Sequence, residues 1–332
     1  MGQLKDSFGR KHDYLRISVT DRCNLRCVYC MGAEGINLLP QSDILSYEEI
    51  LKLVNCAAEM GVSKIRVTGG EPLVRKNLPY FISELNKIPG IDDISLTTNG
   101  VFLKKYTPLL KEAGLNRVNI SLDTMKPEQF REMTRGGNVK DVFNGIETAI
   151  EFGLLPLKIN TVLMKGFNDE EVIDFINMAK EREIHVRFIE YMPIGGHDGD
   201  YKNHYLPLSF INEKAAEAGY DMVPVKHPLG AGPAEYYSFP GNKGSIGLIH
   251  SISKHFCSSC NRLRLTADGR MKSCLYWQEE EYIRPLLDKP DELAKLLKEL
   301  INRKPKEHFM CKDNDPKAIE RAKMRAMSRT GG

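Results

Sequence analysis

Over the first two thirds of the chain, short β-branched runs alternate with stretches whose apolar residues recur at helical spacing. The strand-like runs are LRISVT (15–20), KIRVTG (64–69), DISLTT (93–98), RVNISLD (117–123), LKINTVL (157–163) and HVRFIEYM (185–192). The clearest helical stretch begins at Ser46. Glu49, three residues on, makes a capping box, and Ile50, Val54, Ala57 and Ala58 follow at helical spacing up to Gly61. Strand and helix in repeated alternation predict βα units and a parallel sheet, either open and doubly wound or barrel-shaped. From about Pro193 the pattern changes. Gly195, Gly196, Gly199, Gly230, Gly232, Gly241 and Gly244 break the chain, and a hairpin is predicted over 262–274 with Asp268-Gly269 at its turn. Charged helical stretches follow at 291–303 and 316–328. The change of pattern sets an expected boundary between 1–192 and 193–332.

Composition narrows the class. The 332 residues are 42% hydrophobic and 27% charged, a globular balance with enough chain to bury a core. Lys plus Arg is 47 and Asp plus Glu is 44, for a net charge of +3. So small an excess does not draw nucleic acid or a membrane surface, and an anionic ligand must be held by a local basic cluster. No apolar run is long enough to span a bilayer, the first residues hold no apolar signal core, and Asp6 breaks the myristoylation pattern. The expected location is the cytoplasm. No GxGxxG follows the first strand and no P-loop occurs in the chain.

Instead, a cysteine loop comes directly after the first strand. Six of the eight cysteines fall into two groups of three, which in a reducing compartment reads as metal ligation rather than disulfide pairing. Cys23-x3-Cys27-x2-Cys30 can hold three corners of a [4Fe–4S] cubane and leave one iron open to an outside ligand. A zinc site short of one ligand, or three buried free thiols, is the plainer alternative. Cys257-x2-Cys260-x13-Cys274 is again a set of three, and zinc completed by His250, His255 or Cys311 stands beside the cluster reading. The remaining unusual residues lie where parallel sheets keep reactive groups, at the carboxyl ends of strands: Gly69-Gly70-Glu71-Pro72, Asn99-Gly100, Ser121, Asp123 and Met192. Gly69 and Gly70 let backbone come close to a ligand, and Glu71 can accept from an ammonium. Cys56 sits opposite the apolar stripe of its helix and Cys311 in a charged tail, so both read as bystanders. Lys64 with Arg66, and Arg262 with Arg264, share a face by strand alternation. Inside a barrel such cations would be buried, and buried unpaired cations imply an anion between them.

CxxxCxxC after the first strand, Tyr29 before the last cysteine and GGEP after the second strand resemble the radical S-adenosylmethionine (SAM) superfamily. The resemblance implies an incomplete, TIM-type (β/α)6 barrel with a C-terminal region closing its open side. It implies SAM on the open iron, with Tyr29, Gly69, Gly70, Glu71, Ser121, Asp123 and Met192 around it. FGRKHDYLRISVTDRCNLRCVYC, KIRVTGGEPLVR, LTTNG, NISLDT, INTVLMKGFNDEE, VRFIEYMPIG, CNRLRLTADG and the terminal Gly331-Gly332, in that order, resemble the branch that opens molybdenum cofactor synthesis. That resemblance implies two [4Fe–4S] clusters, the second holding the substrate purine. It implies a lyase that converts GTP to (8S)-3′,8-cyclo-7,8-dihydroguanosine 5′-triphosphate after a 5′-deoxyadenosyl radical takes the ribose 3′ hydrogen. Arg16, Lys64, Arg66, Thr97, Lys158, Arg262 and Arg264 become the expected GTP contacts, with Arg187 added from its strand position, and Gly331 and Gly332 a catalytic tail. The implied partners are GTP, an electron donor, a downstream cyclic pyranopterin monophosphate synthase and a second copy in a homodimer; nucleic acid and membrane are not among them. One departure stands out: Cys30-Met31-Gly32, where the branch commonly has Cys-Met-Pro, loosens the loop. Two rival readings remain. A peptide-modifying radical SAM enzyme with an auxiliary cluster would need no ring of cations. A non-enzymatic iron–sulfur or zinc protein would carry complete ligand sets.

Overall fold

The computed structural model describes residues 2–192, 194, 201–226, 232–308 and 330. Six strands follow the six predicted runs: β1 (Tyr14–Ser18), β2 (Lys64–Thr68), β3 (Asp93–Thr98), β4 (Arg117–Ser121), β5 (Leu157–Leu163) and β6 (Ile184–Glu190). Between them lie α1 (Tyr47–Glu59), α2 (Leu78–Asn86), α3 (Leu103–Glu112), α4 (Pro127–Thr134), α5 (Val139–Glu151) and α6 (Val172–Glu181). Adjacent strands pair in chain order, all parallel, as the alternation predicts. The capping box forms as expected: Ser46 Oγ accepts from Glu49 N–H at 3.2 Å and Glu49 Oε2 accepts from Ser46 N–H at 2.7 Å. Gly61 leaves the helix with φ +92°, a left-handed turn that favours glycine.

The C-terminal region adds α7 (Tyr201–His204), α8 (Ser209–Glu217), β7 (Val223–Val225), β8 (Glu235–Ser238), β9 (Ser245–Ile249), β10 (Arg262–Leu265), β11 (Arg270–Lys272), β12 (Glu281–Tyr282) and α9 (Pro290–Asn302). It does more than close one side. β10 pairs parallel with β1, and β9 pairs parallel with β6, so both edges of the six-stranded sheet are covered. The 12-stranded order is β12-β11-β10-β1-β2-β3-β4-β5-β6-β9-β8-β7. Residues of β10 at one end and of β9 at the other line the same cavity, so the sheet curls into a partial barrel. The hairpin expected over 262–274 is β10–β11, and its Gly269 takes φ +79°. The helical stretch expected at 316–328 lies outside the described residues. Among the described residues no helix is long and apolar enough to cross a membrane.

The core follows from alternation. Leu15, Ile17, Ile65, Val67, Ile94, Leu96, Val118 and Ile120 point out of the barrel under the helices and are essentially unexposed. Tyr14, Arg16, Lys64, Arg66, Thr97 and Ser121 alternate with them and line the interior. Cys56 corrects its expectation. It is buried, with Sγ 3.6 Å from the Pro290 carbonyl, because α1 carries a second buried face against α9.

Candidate active site

Strand register stacks the interior residues in rows. One row across the sheet is Arg262, Tyr14, Lys64 and Asp93. Above it lie Arg264, Arg16, Arg66, Ser95 and Arg117. Next come Thr97, Asn119, Lys158, His185 and Ser245, and then Ser121, Asn160, Arg187 and Gly247. These rows surround a cavity of about 260 Å³. All seven expected GTP contacts line it, and so does Arg187. Arg187 has room because its neighbour is glycine: a Cβ on Gly247 would lie 2.9 Å from the Arg187 Cγ.

The cations differ in what they already hold. Lys64 is paired with Asp13 at 2.6 Å, and Asp13 also accepts from Asn261 Nδ2 at 2.6 Å. Arg117, which the sequence reading missed, is fork-bonded to Asp93, with Nε 2.9 Å from Oδ1. Arg187 Nη2 donates to Asn119 Oδ1 at 2.7 Å, but its buried Nε meets no acceptor. Arg66 Nε, Thr97 Oγ1, Asn160 Oδ1 and the Tyr14 hydroxyl are likewise buried without a hydrogen-bond partner. Burial, with neighbouring positive charge, lowers four of these cations. It pushes Arg16 well below its usual value and Arg264 to about 10. Arg66 is also held at about 10, by burial against the partial support of Tyr14. Lys158 falls to about 6 through burial and the charges of Arg187, Arg117 and Arg66. Such a concentration of positive charge, with polar atoms left open, is the shape of an anion site.

The residues around the first cysteine group act largely on one another. Gly70 N–H donates to Thr20 O at 2.7 Å and Glu71 N–H to Arg22 O at 2.8 Å. A Cβ on Gly70 would sit 2.3 Å from Arg22 O, and one on Gly69 2.7 Å from Thr20 O. The backbone that these glycines admit is thus the chain's own cysteine loop. Glu71 accepts from Leu73 N–H at 3.0 Å, Thr98 Oγ1 at 2.8 Å and Asn99 N–H at 2.7 Å, and burial lifts its carboxyl to about 7. It clamps the turn after β2 to the turn after β3. Asn99 Nδ2 in turn reaches Asn24 Oδ1 at 2.9 Å and lies 3.9 Å from Cys23 Sγ. Tyr29 donates to Asp123 Oδ2 at 2.8 Å while Asp123 Oδ1 accepts from Val162 N–H at 2.9 Å; burial raises Asp123 to about 6. Tyr29, Ser121, Asp123 and Met192 line the cavity, whereas Gly69, Gly70 and Glu71 stand behind its wall. Met192 O accepts from Ile194 N–H at 2.8 Å. After the third cysteine, Arg135 Nη1 donates to Met31 O at 2.8 Å and Gly35 N–H to Gly32 O at 2.9 Å, which ties the loop at the Gly32 departure.

None of the six clustered cysteines is in a disulfide. Burial raises Cys23 to about 11 and Cys27 well above the thiol range. Burial of this kind disfavours a bare thiolate, and a metal group that takes up the charge would offset it. Cys257, Cys260 and Cys274 line the cavity. There burial raises Cys260 but Arg262 and Lys304 outweigh it, and the thiol lies at about 6. Among the described residues no three His, Cys, Asp or Glu side chains converge as ligands of a single ion. His250 is taken up otherwise: Nδ1 is 3.2 Å from Ser253 Oγ, and Nε2 is 3.5 Å from Glu235. His255 is 3.5 Å from Glu307, and Cys311 lies outside the described residues. Each set of three thiols, with no fourth described ligand beside it, fits a cubane with one open iron. The sequence reading also missed Tyr14, Asn160, Tyr276 and His308 on the cavity wall. Tyr14 and Asn160 stand two residues from Arg16 and Lys158, so the same alternation could have found them.

The profile of the Radical SAM superfamily matches residues 17–179, and that of Molybdenum Cofactor Synthesis C matches residues 184–310. The chain is 50% identical over 333 residues to a GTP 3′,8-cyclase of Listeria monocytogenes strain EGD-e, covering 100% of both chains. It is 46% identical to a GTP 3′,8-cyclase of Limosilactobacillus fermentum, again over 100% of both. Streptococcus suis SuiB, solved bound to S-adenosylmethionine, shares the fold at a TM-score of 0.60 and 16% identity, over 83% of this chain and 64% of that one.

Proposed function

This chain belongs to the GTP 3′,8-cyclase family of radical SAM enzymes, and we propose how its own residues carry the first step of molybdenum cofactor synthesis. Cys23, Cys27 and Cys30 would hold one [4Fe–4S] cluster with SAM, and Cys257, Cys260 and Cys274 the other. When bound, the first cluster and SAM supply a 5′-deoxyadenosyl radical that takes the ribose 3′ hydrogen of GTP before carbon 8 of guanine is joined to that position. The chain's work is placement. Arg16, Arg66 and Arg264, one row of the barrel, gather the triphosphate with Lys158 and Arg187 above them. Arg262 works beside the second cysteine group, where the purine is held. Lys64, already neutralised by Asp13, fixes the floor rather than a phosphate. Thr97 and Asn160 offer their open polar atoms to the sugar. Ser121 and Met192 face SAM from the cavity wall. Glu71, Tyr29, Asp123 and the two glycines hold that wall rigid through their hydrogen bonds and close packing.

Gly331 and Gly332 lie outside the described residues; Thr330, immediately before them, is only 3% exposed. We propose that these two glycines take part in the reaction. We place the enzyme in the cytoplasm, where thiols stay reduced, fed by a separate electron donor and followed by the synthase that takes its product.

The observation that carries this reading is the stack of buried cations around one cavity that a cysteine group also lines. The test is an anaerobic assay of the reconstituted protein with SAM, a reductant and each nucleoside triphosphate in turn. GTP alone is expected to give an isomer of unchanged mass together with 5′-deoxyadenosine, and a chain extended beyond Gly332 is expected to lose most of that product. Equal turnover of all four triphosphates, or 5′-deoxyadenosine with no cyclised nucleotide, would sink the proposal.

A further inference from the structure

The end of α9 is fixed under the second cysteine loop. Leu300 and Ile301 are 1% exposed, and Lys304 N–H turns back to Ile301 O at 3.1 Å. The Lys304 side chain is itself buried, and it does not line the substrate cavity. Its Nζ donates to Arg262 O at 3.0 Å and to Cys260 Sγ at 3.4 Å. A carbonyl and a ligating sulfur are both acceptors, which suits an ammonium with three donors and no lone pair. A cation this deep is costly unless negative charge faces it. The charged and titratable groups around it are Cys260, Cys274 and Arg262 on one side, and Arg10, His12 and Asp6 on the other. Arg10 and Asp6 satisfy each other at 2.5 Å, and His12 bonds the same carboxylate at 3.1 Å. Arg10 also donates to Cys257 O at 2.9 Å, Pro305 O at 2.9 Å and Lys306 O at 3.1 Å. The N-terminal segment therefore straps the cysteine loop to the segment that carries Lys304. The charge left to answer the ammonium is on the cysteine sulfurs.

We propose that Lys304 is a positioning residue for the second [4Fe–4S] cluster and raises its reduction potential through the N–H···S bond to Cys260. The inference rests on the reading that Cys257, Cys260 and Cys274 hold that cluster. Reduction adds negative charge to a cluster and its sulfurs, and a donor or positive charge beside a sulfur stabilises the reduced form more than the oxidised one. Arg262 also lies beside Cys260, but it faces the cavity and is shared with whatever fills it. Lys304 approaches from the dry side, so its influence persists with and without substrate.

The test isolates the second cluster in the full-length chain by changing Cys23, Cys27 and Cys30 to Ser, then measures bound iron and the midpoint potential by redox titration followed by electron paramagnetic resonance. About four irons per chain are expected. Absence of iron would refute the ligand reading, and the inference with it. With iron present, Lys304→Met is expected to move the midpoint to a more negative potential, and Lys304→Arg to stay nearer the parent value. An unchanged midpoint in Lys304→Met with its iron retained overturns the proposal. Should Lys304→Met bind no iron, Lys304→Leu, which likewise offers no donor or charge, is judged by the same shift.

Discussion

Lys158 is where the electrostatics of the barrel become measurable. Burial and the charges of Arg187, Arg117 and Arg66 bring it to about 6, so near pH 8 the free protein carries this lysine largely neutral. A bound triphosphate supplies negative charge and raises that value again, so binding must take up a proton. By linkage, affinity then falls as pH rises above about 6. Near pH 8 the phosphates are fully ionised and do not mask the effect. Calorimetry of GTP binding in buffers of different ionisation enthalpy should show uptake approaching one proton, and Lys158→Gln should remove most of it; no uptake in the parent protein would contradict a phosphate contact. The cations themselves were legible in the sequence because alternation on a strand puts every second side chain inside. Their pairing was not. Lys64 with Asp13, and Arg117 with Asp93, depend on which strands are neighbours and in what register, and no local pattern carries that information.

At the scale of elements, the turn after β2 shows a motif whose glycines the chain's own packing also requires. GGEP stands where a parallel sheet keeps its reactive end, and its glycines make room there for Thr20 and Arg22 of the cysteine loop. A methyl group on Gly70 would meet backbone at 2.3 Å, which no side-chain rotation relieves. Gly70→Ala is therefore expected to cost about 1–3 kcal/mol of overpacking and to spread the loop that presents Cys23. Its iron content should fall to roughly half the parent value, with the second cluster retained. Thermal unfolding and iron analysis read the two effects separately, and full iron at parent stability would contradict the packing argument. Helix α1 was more transparent, since a capping box and its final glycine are local signals. Its second face was not: Cys56 is buried where α9, more than two hundred residues later, packs against it.

For the whole molecule, the consequential feature is that 193–332 supplies a parallel strand to each edge of the sheet formed by 1–192. Sequence patterning predicted the six βα units but not these two pairings, which join segments far apart in the chain and use strands of only four and five residues. The outward residues of the added strands complete the core: Leu263 and Leu265 of β10, and Ile246 and Leu248 of β9, are at most 1% exposed. Removing the C-terminal region would strip both covers at once. β1 and β6 would present open hydrogen-bonding edges beside uncovered apolar side chains, the arrangement that recruits other chains. The inward row would also lose Arg264, whose place beside Arg16 comes from β10. A fragment of 1–192 is thus expected to aggregate rather than behave as an independent barrel, although its six βα units are all present. Sedimentation and thermal unfolding of the fragment decide the point: a monodisperse species with one cooperative transition would show that 1–192 is a self-sufficient domain, whereas loss to large assemblies, prevented by co-expressing 193–332, is the outcome that the sheet order requires.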